Sequence, residues 1–349
     1  MRVALCHHYS LTFHGGGERF LIELGRQLMK HGHSAEICAL PFGHRAINPE
    51  GWLHGIKHQE GWFHDISDAD LAYFVYAPVV HHFFRGTCPK IAGIHAFVFV
   101  EELQHPDIQH MSSTAFVRKF GWARFLSQLY FNKIKRRNLS SFDAIHVINK
   151  EAMKVDFRSK QMHYAPNWID TSVFKPKGEK EEKFSALFIG RRAKGFRTFL
   201  DVAEFLKHQS MDFLAIGPDV GSVKNVKSLG FITDVEKLVR LYSKVHVLVY
   251  TSEVDVFPLT LLESCACGIP VVALKTRAIE GLGLPIFQLS SARAIAGKTI
   301  ELVELWESDN EEYASLAKKV RANVLKYDVA KVFPRYLRMF KEVASCGNT

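Results

Sequence analysis

The stretch "PNWIDTSVFKPKGEKEEKFSALFIG" occupies residues 166–190. Prolines and charges crowd its front, a composition that neither a helix nor a central strand tolerates. The back, "FSALFIG", is an apolar run of strand length ending at Gly190. A linker followed by a fresh strand means that a second folding unit begins here.

The same alternation runs on both sides of it. Upstream, "RVALC" reads as a strand, and "GERFLIELGRQLMKHG" as a helix with Phe20, Leu21, Leu24 and Leu28 on one face. "SAEICAL", "LAYFVYA", "KIAGIHA" and "DAIHVIN" supply further strands. Downstream, strands are predicted at "FSALFIG", "MDFLAIG", "VHVLVYT" and "IPVVALK". Helices are predicted at "FRTFLDVAEFLKH", "DVEKLVRLYSKV" and "PLTLLESCA". Strands alternating with helices predict parallel sheets covered on both faces. The fold class is therefore α/β, two tandem Rossmann-like, doubly wound domains over 1–170 and 171–329. The tail, 330–349, is a helical pattern with no strand after it and is expected to pack back on the first domain.

A chain of 349 residues is long enough for two cores, and 47% hydrophobic with 23% charged residues is an ordinary globular balance. The formal net charge of +9 favours an acidic partner: nucleic acid, an anionic membrane surface or a phosphorylated ligand. None of the six cysteines forms a C-x-x-C pair, so buried free thiols in a reducing cytosol are expected. "MRVALCHHYS" lacks the pattern of a signal peptide. "DLAYFVYAPVVHHFF" is broken by Pro78, His81 and His82 and is shorter than the ~20 residues of a bilayer span. The expectation is a soluble, cytoplasmic protein, or one peripheral on the inner face of the membrane.

In an open parallel sheet, ligands bind where loops leave the carboxyl ends of strands. "HGGGER" follows the first strand, where Gly15, Gly16 and Gly17 let backbone approach a ligand and the next helix offers its amides to an anion. The bland alternative is a flexible turn. The pattern is not G-x-G-x-x-G, which argues against a nicotinamide dehydrogenase. "IGRRAKGF" places Arg191, Arg192 and Lys194 at another strand end, suited to a diphosphate or, equally, to a solvated basic loop. "DVFPLTLLE" (255–263) carries Asp255 before a helix starting around Phe257–Pro258, and Glu263 about two turns along its ligand-facing edge. Carboxylates that accept two hydrogen bonds suit vicinal sugar hydroxyls, while an N-terminal acid also serves the helix dipole.

These motifs carry a resemblance. "DVFPLTLLESCACGIPVVA" resembles the acid–seven residues–Glu signature of the family 4 retaining glycosyltransferases, which have the GT-B fold. "HGGGERFLIELGRQLMKHGHSAEI" is similar to that family's first strand–loop–helix. "PNWIDTSVFKP" is similar to its interdomain segment, at Asn167, Asp170, Phe174 and Pro176, and "IGRRAKGF" to its phosphate loop. The resemblance implies two domains facing each other across a cleft, the first on the acceptor side and the second binding a nucleotide sugar. It implies that Glu263 holds ribose hydroxyls and Asp255 the hydroxyls of the transferred sugar. Arg191 and Lys194, with Arg192 the alternative arginine, would bind the diphosphate. Val256, Phe257, Pro258, Leu259 and Gly15, Gly16 and Gly17 would line the donor, and His95 would lie beside its sugar. A lone histidine after an apolar strand is otherwise more often structural. Three features depart from the family: Asp255 where Glu is usual, Pro258 where Gly is usual, and a shortened basic loop.

The resemblance further implies a retaining hexosyltransferase with front-face attack by the acceptor. The nucleotide sugar, UDP in preference to GDP, is a co-substrate, and no metal or other cofactor is required. The acceptor would be a glycan or lipid-linked molecule in cell-surface polysaccharide, lipopolysaccharide or lipid-linked oligosaccharide synthesis. Asp65, Asp68 and Asp70 precede a strand on what is expected to be a loop, so the D-x-D spacing of Asp68 and Asp70 is not read as a metal site. Residues 114–137, basic and aromatic, are a candidate helix for an anionic membrane surface or for packing on the sheet. No nucleic-acid reader motif accompanies the positive charge, so nucleic acid is not an expected partner. The competing readings are a phosphorylase or epimerase of the same fold and a catalytically silent nucleotide-sugar- or partner-binding homologue.

Overall fold

The computed structural model describes residues 1–346 except 14–15, 44–52, 54, 78–79, 97–111, 123–124, 127–128, 130–137, 156, 158–160, 218–220, 222 and 224. The chain forms two compact units, Met1–Asn167 with Phe333–Thr349, and Trp168–Val332.

The first unit opens with β1 (Arg2–Tyr9), α1 (Gly16–Lys30) and β2 (Ser34–Phe42). It continues through β3 (Lys57–Glu60), β4 (His64–Asp65), β5 (Leu71–Val75), β6 (Phe84–Arg85) and β7 (Lys90–Ile94). The helix α2 (Ser113–Phe120) precedes β8 (Ala144–Val147) and β9 (Met162–Tyr164). Among the described residues, β3-β2-β1-β5-β7-β8-β9 make one parallel sheet. All five residues of β5 are buried, as expected for a central strand covered on both faces. At the edge, the four residues of β3, Lys-His-Gln-Glu, are all exposed, which blunts pairing with another chain. Phe20, Leu21, Leu24 and Leu28 of α1 are buried at helical spacing. At the amino ends of the strands, Asp70 accepts a hydrogen bond from the Arg2 amide and Asp68 pairs with the Arg2 guanidinium, so these two acids are structural.

The second unit contains β10 (Ser185–Ile189), α3 (Phe196–Phe205), β11 (Asp212–Ile216), β12 (Lys227–Ser228), α4 (Val235–Lys244) and β13 (Val247–Tyr250). Then follow α5 (Leu259–Ala266), β14 (Val271–Leu274), α6 (Arg277–Glu280), β15 (Phe287–Leu289), α7 (Ala292–Ser308) and α8 (Asn310–Val324). Its parallel sheet has the order β12-β11-β10-β13-β14-β15. The quoted segment 166–176 is tied down within this unit from Trp168 onward. Ile169 bridges Asp328, and Arg321 donates to the carbonyls of Phe174 and Ala266.

The last helix, α9 (Val329–Cys346), returns the chain to the first unit. Phe333, Tyr336, Phe340 and Val343 recur every three or four residues and are buried. The Tyr336 hydroxyl donates to the carbonyls of Ala165 and Pro166, both at 3.2 Å.

Candidate active site

In both units the strand order reverses beside the first strand, and a crevice opens at such a point. In the second unit the reversal lies between β10 and β13, because β11 and β12 extend to one side and β14 and β15 to the other. The loop after β10 carries Arg191, Arg192 and Lys194, and the loop after β13 carries Asp255–Pro258. The sheet thus brings together two motifs some sixty positions apart in the chain.

Side chains bind these loops to each other. The Thr251 hydroxyl donates to the Gly195 carbonyl at 2.7 Å. Gly195 has φ +85°, and a Cβ there would lie 2.1 Å from the Thr251 carbonyl oxygen, so only glycine fits. Lys194 pairs with one oxygen of Asp255, and the Tyr250 hydroxyl donates to the other. Burial, then the Asp255 charge, pushes the Tyr250 phenol well above its usual range, so it stays a donor. The Lys194 and Asp255 side chains are 41% and 18% exposed. A pair this open contributes roughly 0–1 kcal/mol, so Lys194 can turn toward an incoming anion at small cost. Arg191 and Arg192 are exposed on the same loop.

Two helices start at this point, α3 behind Gly195 and α5 behind Pro258, and neither has a side-chain cap. The other helices of the unit are capped by Asp234, Thr276, Ser291 and Asp309. Two helix starts without a side-chain acceptor suit an anion in that place. Pro258 is the cap of α5 itself, one position before the first helical residue. Val256, Phe257 and Pro258 are buried, and Leu259 is partly exposed.

Glu263 differs from the ligand-facing edge predicted for it. It is 2% exposed and accepts a hydrogen bond from the Tyr242 hydroxyl at 3.0 Å. From Leu261 onward every residue of α5 is buried, which leaves the helix no open edge beyond its first turn.

In the first unit the reversal lies between β1 and β5. Gly16 and Gly17 begin α1, and Gly15 lies outside the described residues. A Cβ on Gly17 would lie 3.3 Å from the His7 ring, so this turn passes close against the sheet end. His7 bonds Glu18 at 2.7 Å, both buried. His95 stands just past β7, its ring packed on Phe20 with centroids 4.5 Å apart. Its Nε2 lies 2.7 Å from the Tyr73 hydroxyl, which lies 2.8 Å from His146 Nδ1. Burial holds His146 down at about 4 and His95 well below the usual histidine range. The sequence reading named neither Tyr73 nor His146, nor Tyr250 and Thr251.

Five of the six cysteines are buried thiols and Cys346 is exposed; all are free. Among the described residues no helix is long and apolar enough to cross a membrane. Within the basic aromatic stretch 114–137, residues 123–124, 127–128 and 130–137 lie outside the described residues.

Residues 183–304 match the family model of the glycosyl transferases group 1, so the two loops of the second unit both lie inside the match. The Escherichia coli K12 protein WcaC, described as a colanic acid biosynthesis glycosyl transferase, is 33% identical over 82 residues. That match spans 23% of this chain and only 19% of WcaC. A sucrose-phosphate synthase from Thermosynechococcus elongatus superposes with a TM-score of 0.71 at 15% identity, over 99% of both chains. Anabaena Alr3699/HepE, solved in complex with UDP-glucose, superposes at 0.69 and 15%, over 97% of this chain and 99% of that one. The fold is therefore GT-B, with two Rossmann-like units, and the resemblance to glycosyltransferases read from the motifs is borne out.

Proposed function

We propose that this chain is a retaining, metal-independent glycosyltransferase. It moves a sugar from a nucleotide-sugar donor, UDP-linked in preference to GDP-linked, to a glycan or glycolipid acceptor. The observation that carries the reading is the pair of helix starts without side-chain caps, α3 and α5, flanked by Arg191, Arg192 and Lys194. Cleaving a sugar–diphosphate bond puts negative charge on the leaving phosphate and positive charge on the sugar ring. Fixed amides and cations aimed at that phosphate stabilise the transition state without reorganising, an effect of ~3–4 kcal/mol for a single donor in comparable sites. Lys194 supplies a point charge and Arg191 or Arg192 a fork.

Asp255 takes the sugar hydroxyls. Lys194 and Tyr250 each occupy one lone-pair direction on its two oxygens, and a carboxylate has about four. Glu263 takes the ribose hydroxyls in this reading, with one of its two oxygens already accepting from Tyr242. His95 lies beside the transferred sugar. Gly15, Gly16 and Gly17 are kept in this reading as donor-binding residues.

The similarity to WcaC supports an acceptor in cell-surface polysaccharide synthesis, and lipopolysaccharide or lipid-linked acceptors fit the same chemistry. Residues 114–137 would hold the enzyme on an anionic inner membrane face. Trp122, Leu126 and Leu129 are exposed at helical spacing there, 66%, 58% and 52% respectively. Vesicle co-sedimentation tests this arm, and equal binding to neutral and anionic lipid would overturn it.

A thermal-shift screen against UDP-, GDP-, ADP- and TDP-sugars tests the main reading, because a ligand bound only by the folded state raises the melting temperature. A UDP-sugar is expected to give the largest rise. No response to any of the four would overturn the assignment.

A further inference from the structure

The neighbours of His95 determine which of its nitrogens carries a proton. His146 Nε2 lies 2.8 Å from the Ala165 carbonyl oxygen, which can only accept. Nε2 of His146 must therefore hold a hydrogen, because a lone pair there would face another lone pair. Burial keeps His146 neutral, with its ionisation pushed down to about 4, so its ring has one hydrogen and Nδ1 is an acceptor. The Tyr73 hydroxyl, 2.8 Å away, must donate to it. That phenol is itself buried and held well above its usual range, so its hydrogen stays in place. Having one hydrogen, Tyr73 can only accept on its other side, where His95 Nε2 lies at 2.7 Å. His95 Nε2 consequently carries the hydrogen, and its Nδ1 is left as a lone pair.

The sheet is built around this chain of bonds. Val75, Gly93 and His146 are register neighbours across β5, β7 and β8. Two residues along a strand point to one face, so Tyr73 and His95 share that face with them. A Cβ at Gly93 would lie 2.1 Å from the Tyr73 oxygen and 3.1 Å from His95 Nε2. The glycine opens the space that the hydroxyl fills. Tyr336 of α9 packs edge-on against His146 and donates to the same Ala165 carbonyl, fixing the far end.

We infer that Tyr73 and His146 are positioning residues that hold His95 in its Nε2–H form and leave Nδ1 as an acceptor for a ligand hydroxyl. The inference rests on the proposed role of His95 beside the donor sugar.

Long-range proton–nitrogen spectra of histidine-labelled protein report the tautomer directly, with His95→Gln assigning the signals. The wild type is expected to show a protonated Nε2 and a bare Nδ1 at His95. The opposite tautomer would overturn the relay, whatever the activity. In Tyr73→Phe the His95 signals should move toward a tautomer mixture, while kcat falls roughly tenfold through lost alignment. If that variant kept the wild-type tautomer and rate, the positioning role would be overturned. Should His95→Gln turn over at the wild-type rate, the role of His95 in the proposed function fails while the tautomer result still decides the relay. Wild-type spectra need no variant to fold.

Discussion

The two switch points use opposite electrostatics. The second unit gathers Arg191, Arg192, Lys194 and Asp255, all charged and at least partly exposed, at its β10–β13 reversal. The first unit gathers His7, Glu18, Tyr73, His95 and His146, mostly buried, with His95 and His146 held neutral, at and beside its β1–β5 reversal. Charges that water can reach are free to reorganise around an anion. Neutral groups in a buried chain cannot reorganise, and each one dictates the hydrogen of the next. In the proposed function, leaving-group stabilisation is the task of the charged residues of the second unit.

Removing charge from the second unit should cost most. Lys194→Ala is expected to lower kcat by on the order of 10²–10³ with the fold intact, as measured by initial rates with a saturating donor. Arg191→Ala and Arg192→Ala, compared in the same assay, identify which arginine reaches the phosphate. A Lys194→Ala enzyme with normal turnover would erase the contrast between the units.

The next effect is structural. Gly195→Ala places a methyl against the Thr251 carbonyl at a positive φ, and stability should drop by on the order of 3 kcal/mol in urea unfolding. Unchanged unfolding would mean that the two loops are not locked together.

Acid sharpens the comparison. His8, His81 and His146 of the first unit are each pushed by burial from 6.5 down to about 4, whereas His246 is the one such group among the described residues of the second unit. The unfolded chain binds these protons first. Stability from neutral burial is therefore complete above about pH 6.5 and is lost as pH falls toward 4. Hydrogen exchange, corrected for its intrinsic pH dependence, should show the first unit's sheet opening before the second's. Simultaneous opening would contradict the asymmetry. Tyr242→Phe should have the smallest effect, about 1–3 kcal/mol of stability, because the buried Glu263 carboxyl loses a donor. If Tyr242 guards the ribose site, the same variant should bind UDP no more weakly than wild type.

Much of this architecture was legible in the sequence, since long apolar runs bounded by glycine and charge mark the central strands, and α1 shows its face through Phe20, Leu21, Leu24 and Leu28. The edge strand β3 was not legible, because Lys-His-Gln-Glu has no apolar face to read. Lys194 and Asp255 were singled out separately, but their contact depends on β10 lying beside β13. The Tyr73–His95–His146 chain was hidden because its members come from three strands, and only register places them on one face. The signal available was Gly93 inside an otherwise apolar strand, a mark of close approach by a neighbour. The depth of Glu263 was not legible because helical spacing gives an angle around an axis and does not reveal that α5 is buried from Leu261 onward.

The most direct test of the account is calorimetric titration of UDP into the wild-type protein and into Arg191→Ala/Lys194→Ala at two salt concentrations. The prediction is that the wild type binds with a salt-dependent affinity, and that the double variant binds at least tenfold more weakly with a flatter salt dependence. Equal affinity in both proteins would place the diphosphate elsewhere and contradict the central claim.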